Sequence, residues 1–151
     1  LFLLASGIPV VFADRDSHSL EHIKQHLAAQ ACERQRELAR PWQVDLEIPD
    51  TRPLDAETFG AILVFRYLHR PLLAGIKEAV IPGGLVIYET FTVEQAKLGR
   101  PRNPDFLLRL GELRECFREW DILHYFEGIE HDPASGQRRA VARLVAEKPA
   151  G

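Results

Sequence analysis

Short apolar runs recur along this chain, separated by polar or amphipathic segments. Residues 8–13 (IPVVFA), 61–65 (AILVF) and 85–88 (LVIY) contain no charged side chain. Apolar runs of this length are typical of strands that are buried on both faces of a parallel sheet. The pattern therefore predicts three such strands, and residues 43–46 predict a further short one.

Two segments between these strands have the spacing of amphipathic helices. The apolar face of the first helix consists of Leu20, Ile23 and Leu27. Asp16 or Ser17 can cap this helix, because a side-chain oxygen there accepts from the first free N–H groups. Pro71 can open the second helix, where its missing N–H costs nothing. The residues of the second helix that are predicted to face the sheet are Leu72, Leu73, Ile76 and Val80.

Residues 59–92 contain a strand, a helix, the turn Pro82-Gly83-Gly84 and a second strand, which together make a βαβ unit. The strands of such a unit run parallel, so their carboxyl ends meet at the sheet edge where open α/β sheets bind ligands. Polar side chains follow both strands at that edge. They are Arg66, Tyr67, His69 and Arg70 after the first strand, and Glu89 and Thr90 after the second.

The last third of the chain predicts a long loop, a helix and a hairpin. Residues 92–105 contain two prolines, and a connection of this length is typical of a lid or a substrate loop. A helix within residues 106–119 is predicted to bury Leu110, Leu113 and Phe117 on one face. Strands at 120–126 and 139–146 are joined by too few residues for a crossover, so they must be antiparallel. The fold class is thus a single α/β domain, residues 1–151, with a mostly parallel sheet and one reversed strand.

Composition argues against nucleic-acid binding and against a membrane-spanning helix. A net charge of −3 gives no basic surface for nucleic acid, and 46% apolar residues are ordinary for a globular protein. No apolar run approaches the roughly 20 residues of a membrane-spanning helix. Cys32 and Cys116 form no motif and are interpreted as free thiols in a reducing cytosol.

The order of elements resembles that of the class I S-adenosylmethionine-dependent methyltransferases. The stretches YLHRPLL, PGGLVIYETFT and NPDFLLRLGELRECFREWDILHYFEG are similar to the small bacterial methyltransferases related to the tellurite-resistance enzyme. The resemblance implies a Rossmann-like sheet with a C-terminal antiparallel hairpin. It also implies S-adenosylmethionine as cofactor and a cytoplasmic enzyme that methylates a small molecule. The acceptor expected on this basis is a soft or anionic nucleophile.

One part of the family's pattern has no counterpart in this sequence. The glycine-rich loop that wraps the methionine part of the cofactor would precede Leu1, together with the first strand of the sheet. That strand would lie between the strand that ends at Asp14 and the strand that ends at Phe65. We expect roughly 30 further residues upstream, about one βα unit, to supply both.

Five residues are predicted to contact the cofactor. The carboxylate of Asp14 can accept both ribose hydroxyls. The alternative is a solvated, helix-capping acid, and the resemblance favours the ribose. The resemblance places Arg15 beside the adenine. It assigns the adenine amine to the side chain of Asp45 and a ring nitrogen to the backbone N–H of Leu46. Phe65 follows the central strand, where cofactor and acceptor meet in the family.

The residues predicted to act on the acceptor follow the same two strands. Arg66, Tyr67 and His69 are the catalytic candidates, and His69 would be the general base if the acceptor needs one. The alternative is an exposed helix start with solvated side chains. The substrate-binding candidates are Arg70, Glu89, Thr90 and Asn103. For these residues a structural role, tying the long loop to the sheet, is the competing interpretation.

Three histidines of the first helix, His18, His22 and His26, form a stripe that contains the zinc pattern H-x-x-E-H. The stripe points away from Leu20 and its apolar face, which predicts exposure to solvent and no water-excluded site. We therefore predict no functional metal.

Two rival functions remain at this level. A dinucleotide-binding oxidoreductase is possible, because Asp14 would serve the ribose of NAD equally well. The terminal hairpin argues against it. A non-catalytic binding module with the methyltransferase fold is the other possibility, and the absent glycine-rich loop is its support. The predicted partner is a small-molecule substrate, with neither nucleic acid nor a membrane.

Overall fold

The computed structural model describes residues 1–151, which divide into an N-terminal unit, Leu1–Pro53, and a C-terminal unit, Leu54–Gly151. The N-terminal unit contains a parallel strand pair and three helices. Its elements in chain order are α1 (Phe2–Ala5), β1 (Val10–Asp14), α2 (Ser17–Gln30), α3 (Glu33–Glu37) and β2 (Ala39–Gln43). The grouping of both units into one domain stays a prediction.

The start of α2 is fixed as predicted. The carboxylate of Asp16 accepts from the backbone N–H groups of His18 and Ser19, at 3.1 and 3.0 Å. Leu20 and Leu27 are buried and Ile23 is half-buried, so the apolar face is confirmed.

Strand β2 lies four residues earlier than predicted. It spans Ala39–Gln43 and includes Pro41, whereas the apolar pattern predicted residues 43–46. Proline is tolerated there because β2 pairs with β1 alone, and an edge strand does not use every N–H group. As a result Asp45 and Leu46 follow the strand instead of ending it.

The C-terminal unit is built on a four-stranded sheet in the order β3-β4-β6-β5. Its elements are β3 (Phe59–Phe65), α4 (Leu72–Ala79), β4 (Val80–Phe91), α5 (Glu112–Cys116), β5 (Asp121–His131) and β6 (Arg138–Glu147). Strands β3 and β4 are parallel, and β6 is antiparallel to both β4 and β5. One strand of the four is therefore reversed, and the predicted C-terminal hairpin is confirmed.

The predicted turn Pro82-Gly83-Gly84 lies inside β4. The strand begins at Val80, directly after α4, and a register irregularity opposite Gly60 accommodates the extra residues. A Cβ atom at Gly84 would lie 2.7 Å from the carbonyl oxygen of Gly60. Only glycine allows the two backbones to approach this closely.

Helix α5 is shorter than the predicted apolar face. Gly111 adopts φ 79° immediately before it, so the helix begins only at Glu112. Leu113 and Phe117 are buried as predicted, but Leu110 lies before the glycine and is 58% exposed. The prediction for Leu110 was wrong, because the left-handed residue turns the chain between it and the helix.

The loop between β4 and α5, residues 92–111, is fixed to the sheet at several points. It contains two 3-10 helices, Val93–Lys97 and Pro104–Phe106. The side chain of Gln95 is buried, accepts from the N–H of Ala140 at 2.8 Å and donates to the carbonyl of Arg100 at 3.0 Å. A buried amide with both ends satisfied is a strong local constraint.

The guanidinium of Arg70 closes the other end of this loop. It donates to both carboxylate oxygens of Glu112, at 2.6 and 3.0 Å, and to the carbonyl of Leu107 at 2.9 Å. The hydrogen bond from Arg70 lowers the pKa of Glu112 from 4.5 to about 2. A paired, bidentate geometry of this kind is among the stronger ion pairs of proteins. No helix of the structure combines the length and apolar character needed to cross a membrane.

Replacement of Gly84 by alanine should destabilise the fold. The new Cβ would contact the carbonyl oxygens of Gly60 and Ile81 at 2.7 and 2.8 Å, and backbone atoms cannot turn aside as a side chain can. We expect Gly84→Ala to lower the free energy of unfolding by about 1–3 kcal/mol in urea denaturation. Gly75→Ala is the matched control, since its Cβ has free space inside α4 and should raise stability by about 0.5–1 kcal/mol. Equal midpoints for Gly84→Ala and wild type would mean that β4 shifts away from Gly60 at little cost.

The Arg70–Glu112 pair should contribute stability that depends on pH. Because the folded pKa of Glu112 lies below the ordinary value of 4.5, its contribution is present above pH 4.5 and disappears as the pH falls toward 2. Glu112→Gln should therefore lower the free energy of unfolding by about 1–3 kcal/mol at pH 7, and the difference from wild type should vanish near pH 2. Glu115→Gln, which breaks an exposed pair with Arg118 on the same helix, should change stability by less than about 0.5 kcal/mol. A deficit for Glu112→Gln that stays constant from pH 7 to pH 2 would contradict this account.

Candidate functional site

The carboxyl ends of β3 and β4 meet at one edge of the sheet, as the βαβ unit predicts. Phe65 pairs with Glu89, and the next residue, Arg66, donates its backbone N–H to the carbonyl of Glu89 at 2.8 Å. Arg66 has a φ of 52°, in the left-handed region that non-glycine residues rarely adopt. Such strained residues concentrate at functional sites, so this edge is a candidate site on conformational grounds as well.

A cavity of about 700 Å³ opens beside Arg66. The wall on the sheet side is Phe91, the last residue of β4. The remaining wall comes from the loop, whose lining side chains are Arg100, Pro101, Arg102, Asn103 and Phe106. Its volume lies within the range of about 300–1,000 Å³ that is typical of small-molecule sites. Arg66 and Asn103, two of the predicted site residues, are thus brought together.

A group of interlocked ion pairs lies on strands β4 and β6 and at the end of β5, and it is joined to the cavity through the pair of Arg66 with Asp132. We call it the sheet ion-pair network, and its members are Glu89, Glu130, Asp132, Arg139 and Arg143. The side chains are 13–30% exposed, which limits the screening of their charges by water. Burial acts to raise the pKa of Glu130, but hydrogen bonds from Arg139 and Arg143 outweigh it and keep this pKa below its ordinary value. The two carboxylate oxygens of Glu89 face Arg139 and Arg143, so Glu89 has structural partners at this edge.

The other residues after β3 and β4 occupy different environments. Thr90 is 2% exposed, whereas the cavity is lined by its neighbour Phe91. The hydroxyl of Tyr88 donates to the carbonyl of Tyr67 at 2.9 Å, and burial raises the pKa of Tyr88. His69 is half-buried, and its carbonyl accepts from the N–H of Leu72 where α4 begins.

Arg70 and Arg66 differ in how much of their charge is available. The guanidinium of Arg70 is held by Glu112 and the loop carbonyls described above. The side chain of Arg66 is 62% exposed, with a single ion pair of 3.4 Å to Asp132. It also lies 6.0 Å from the ring centre of Phe91, within the range of a cation–π contact. Of the predicted arginines at this edge, Arg66 therefore retains the more accessible charge.

Sequence analysis missed the two loop arginines of the cavity. Arg100 and Arg102 are exposed, and the ion pairs of the structure include neither of them. Residues 92–105 had been identified as a substrate loop, but no spacing indicated which of its side chains would face the sheet. The signal lay in the composition of GRPRN, residues 99–103, where two arginines occur without an acidic neighbour.

The predicted cofactor residues of the N-terminal unit lie at one edge of its own sheet. Asp14 ends β1, and one of its oxygens accepts from the N–H of Asp16 at 2.9 Å. The carboxylate of Asp45 accepts in the same way from the N–H of Glu47. Arg15 lies 3.7 Å from the carboxylate of Glu47, so the two loop ends are in contact. Leu46, which lies between Asp45 and Glu47 in the chain, is half-buried. In each acid the second oxygen has no intramolecular hydrogen bond, which suits a hydroxyl or amine donor of a ligand.

The histidine stripe on α2 faces solvent, as predicted. His18, His22 and His26 are all exposed, and the rings of His18 and His22 lie 4.3 Å apart. No group of three or more metal-binding side chains occurs in the structure.

Comparison with known proteins identifies the fold. Neither a family model nor a curated protein sequence matches the chain. Solved structures do match it. TehB from Haemophilus influenzae superposes with a TM-score of 0.69 at 18% identity, over 97% of this chain and 52% of TehB. The chain thus spans about half the length of that relative.

Two N-methyltransferases match with similar scores. The glycopeptide N-methyltransferase MtfA, solved with S-adenosyl-L-homocysteine, gives a TM-score of 0.63 at 17% identity, over 97% of this chain and 76% of MtfA. NodS from Bradyrhizobium japonicum gives 0.61 at 10% identity, over 92% of this chain and 72% of NodS. The resemblance expected from the order of elements is confirmed: the chain has the fold of the class I S-adenosylmethionine-dependent methyltransferases.

Proposed function

We propose that this protein transfers a methyl group from S-adenosylmethionine to a small-molecule acceptor, a soft or anionic nucleophile. The observation that carries the proposal is the class I fold together with a cationic cavity at the carboxyl ends of β3 and β4, where such folds bind ligands. MtfA has been solved with S-adenosyl-L-methionine, S-adenosyl-L-homocysteine and sinefungin, which supports the same cofactor here. A cytoplasmic location accords with two free cysteines.

The chain offers suitable groups for the adenosine part of this cofactor. Asp14 and Asp45 present carboxylate oxygens at one edge of the β1–β2 pair, and these oxygens match the ribose hydroxyls and the adenine amine. The backbone N–H of Leu46 would donate to the adenine, and Arg15 would lie beside the base. Phe65, 58% exposed at the end of β3, is a further apolar contact in this assignment.

The protein's part in the reaction is to hold the acceptor and exclude water. When bound, S-adenosylmethionine supplies a methyl group on a positively charged sulfur: a lone pair of the acceptor forms the new bond to carbon as the carbon–sulfur bond breaks, and the bonding pair stays on sulfur. Arg66 and Asn103 would orient the acceptor from the cavity wall. Tyr67, the next residue after Arg66 in the chain, would act with them, although it does not line the cavity. His69 would accept a proton where the acceptor atom carries one.

The remaining predicted residues would position the cavity wall through their own structural contacts. Arg70 would keep the loop closed through Glu112, and Glu89 would anchor the sheet ion-pair network under Arg66. Thr90, which is buried, would act through the packing of β4. In this assignment these three residues position the cavity wall and do not bind the acceptor through their own polar atoms.

Calorimetry with S-adenosylhomocysteine and, separately, with NAD tests the proposal. We expect the protein to bind S-adenosylhomocysteine and not NAD. Asp14→Asn should weaken this binding about tenfold, because a charged acceptor of hydroxyl hydrogen bonds contributes more than a neutral one. The amide can still accept from the N–H of Asp16, so the loop is retained.

Asp50→Asn is the matched control for this experiment. It removes one negative charge from an exposed loop of the same unit, and asparagine tolerates the left-handed φ of 58° at this position. The control should bind S-adenosylhomocysteine as wild type does. Binding of NAD alone would identify a dinucleotide-binding protein instead, and binding of neither ligand would favour a non-catalytic module.

A further inference from the structure

The charge of the cavity beside Arg66 is of one sign. Three of its seven lining residues are arginines, Arg66, Arg100 and Arg102, and none is acidic. Arg66 shares its charge with Asp132, but Arg100 and Arg102 have no ion-pair partner. Two guanidinium groups without an ion pair thus lie two residues apart in the wall of this cavity, in a chain whose net charge is −3. A cavity of this kind attracts an anionic ligand.

The same cavity also has an apolar, aromatic surface beside its positive charges. Phe91 closes it from the sheet, and Phe106 closes it from the second 3-10 helix of the loop. The side chain of Phe106 is 53% exposed, although a phenylalanine in a tightly hydrogen-bonded loop could have been buried. Exposed aromatic rings beside guanidinium groups are suited to a flat apolar ligand that also carries a negative charge.

The apolar part of the cavity lining favours a ligand that is more than a small anion. A small inorganic oxyanion would fill a minor part of about 700 Å³ and would leave both phenylalanine rings in water. A planar organic acid would cover the rings and could place its carboxylate in the fork of an arginine. Charge, aromatic surface and volume therefore agree on one class of ligand.

We propose that this cavity binds an aromatic carboxylate, with Arg100 and Arg102 at the carboxylate and Phe91 and Phe106 at the ring. This inference rests on the proposed methyl transfer and names the chemical class of the acceptor. The loop that carries both arginines is anchored by Gln95, whose side-chain amide donates to the carbonyl of Arg100 itself. The backbone that carries Arg100 is thus fixed before the acid arrives, which lowers the entropy cost of binding.

The test compares 2-naphthoate with its neutral analogue 2-naphthamide, by NMR titration of the full chain. The two probes have nearly the same shape and differ in charge. We expect 2-naphthoate to bind about tenfold more tightly, and raised salt to weaken 2-naphthoate alone. The double variant Arg100→Gln/Arg102→Gln should lose this tenfold preference and keep the affinity for 2-naphthamide. Equal affinity of the two probes for wild type, or no binding of either, would overturn the proposal.

Arg118→Gln/Arg114→Gln is the matched control, because it removes two positive charges from residues outside the cavity lining. It should retain the preference for 2-naphthoate. Circular dichroism and urea denaturation of both double variants establish that they are folded, as expected for exposed arginines. A loss of preference in the control as large as in the cavity variant would reduce the effect to net charge and overturn the proposal.

Two further titrations separate this proposal from the function it rests on. The double variant Arg100→Gln/Arg102→Gln should bind S-adenosylhomocysteine as wild type does. If it loses affinity for S-adenosylhomocysteine as well as for 2-naphthoate, the two arginines bind the carboxylate of the cofactor, and the acceptor site is overturned. Selenite serves as the small oxyanion probe, and its displacement of 2-naphthoate at lower concentration would overturn the choice of an organic acid. Wild type that binds 2-naphthoate but not S-adenosylhomocysteine would refute methyl transfer, while the aromatic-acid site would stand.

Discussion

The parallel register of β3 and β4 is the constraint on which the C-terminal unit depends. Pairing Phe65 with Glu89 fixes where both strands end, and the hydrogen bond from Arg66 to the carbonyl of Glu89 extends that register by one residue. Everything that lines the cavity then follows from this edge, because Phe91 ends β4 and the loop departs from it. A slip of one residue would turn each side chain of β4 to the opposite face and separate Arg66 from Phe91.

Most of the arginines at this edge of the sheet are neutralised by carboxylates, and only some remain available to a ligand. The sheet ion-pair network neutralises Arg139 and Arg143 with three carboxylates, and Glu112 neutralises Arg70. These pairs stabilise the strands and the loop in one arrangement, although buried ion pairs contribute less net stability than their short distances suggest. Arg100 and Arg102 lie outside both groups. The cationic character of the cavity therefore comes from the loop, while the arginines of the sheet serve its structure.

Periodicity predicted the elements well wherever one face of a segment had to be buried. The apolar face of α2, the βαβ unit and the terminal hairpin all follow from such patterns, since burial alone decides them. The wrong predictions concern backbone details that no side-chain pattern records: Pro41 inside an edge strand, Pro82–Gly84 inside β4, and Gly111 between Leu110 and α5. The sequence pattern predicts a turn at Pro82–Gly84 and a helix that continues through Gly111. The actual role of each proline or glycine depends on which neighbouring strand or turn it meets, and that is a tertiary property.

The location of the candidate site could be predicted from the sequence, but the side chains that line it could not. The reason is again that tertiary contacts decide them. Strand order alone brings Arg66 and Glu89 to one edge, whereas the partners of each charged side chain depend on distances across the sheet and the loop. Glu89 and Arg70 are predicted at the same edge as Arg66, yet of the three only Arg66 lines the cavity with most of its side chain exposed. In the proposed site, the ligand contacts lie on a loop that Gln95 and Arg70 hold against the sheet. Such a loop can change its side chains without disturbing the strands, so in this proposal the sheet would define the location of the site and the loop would select what binds there.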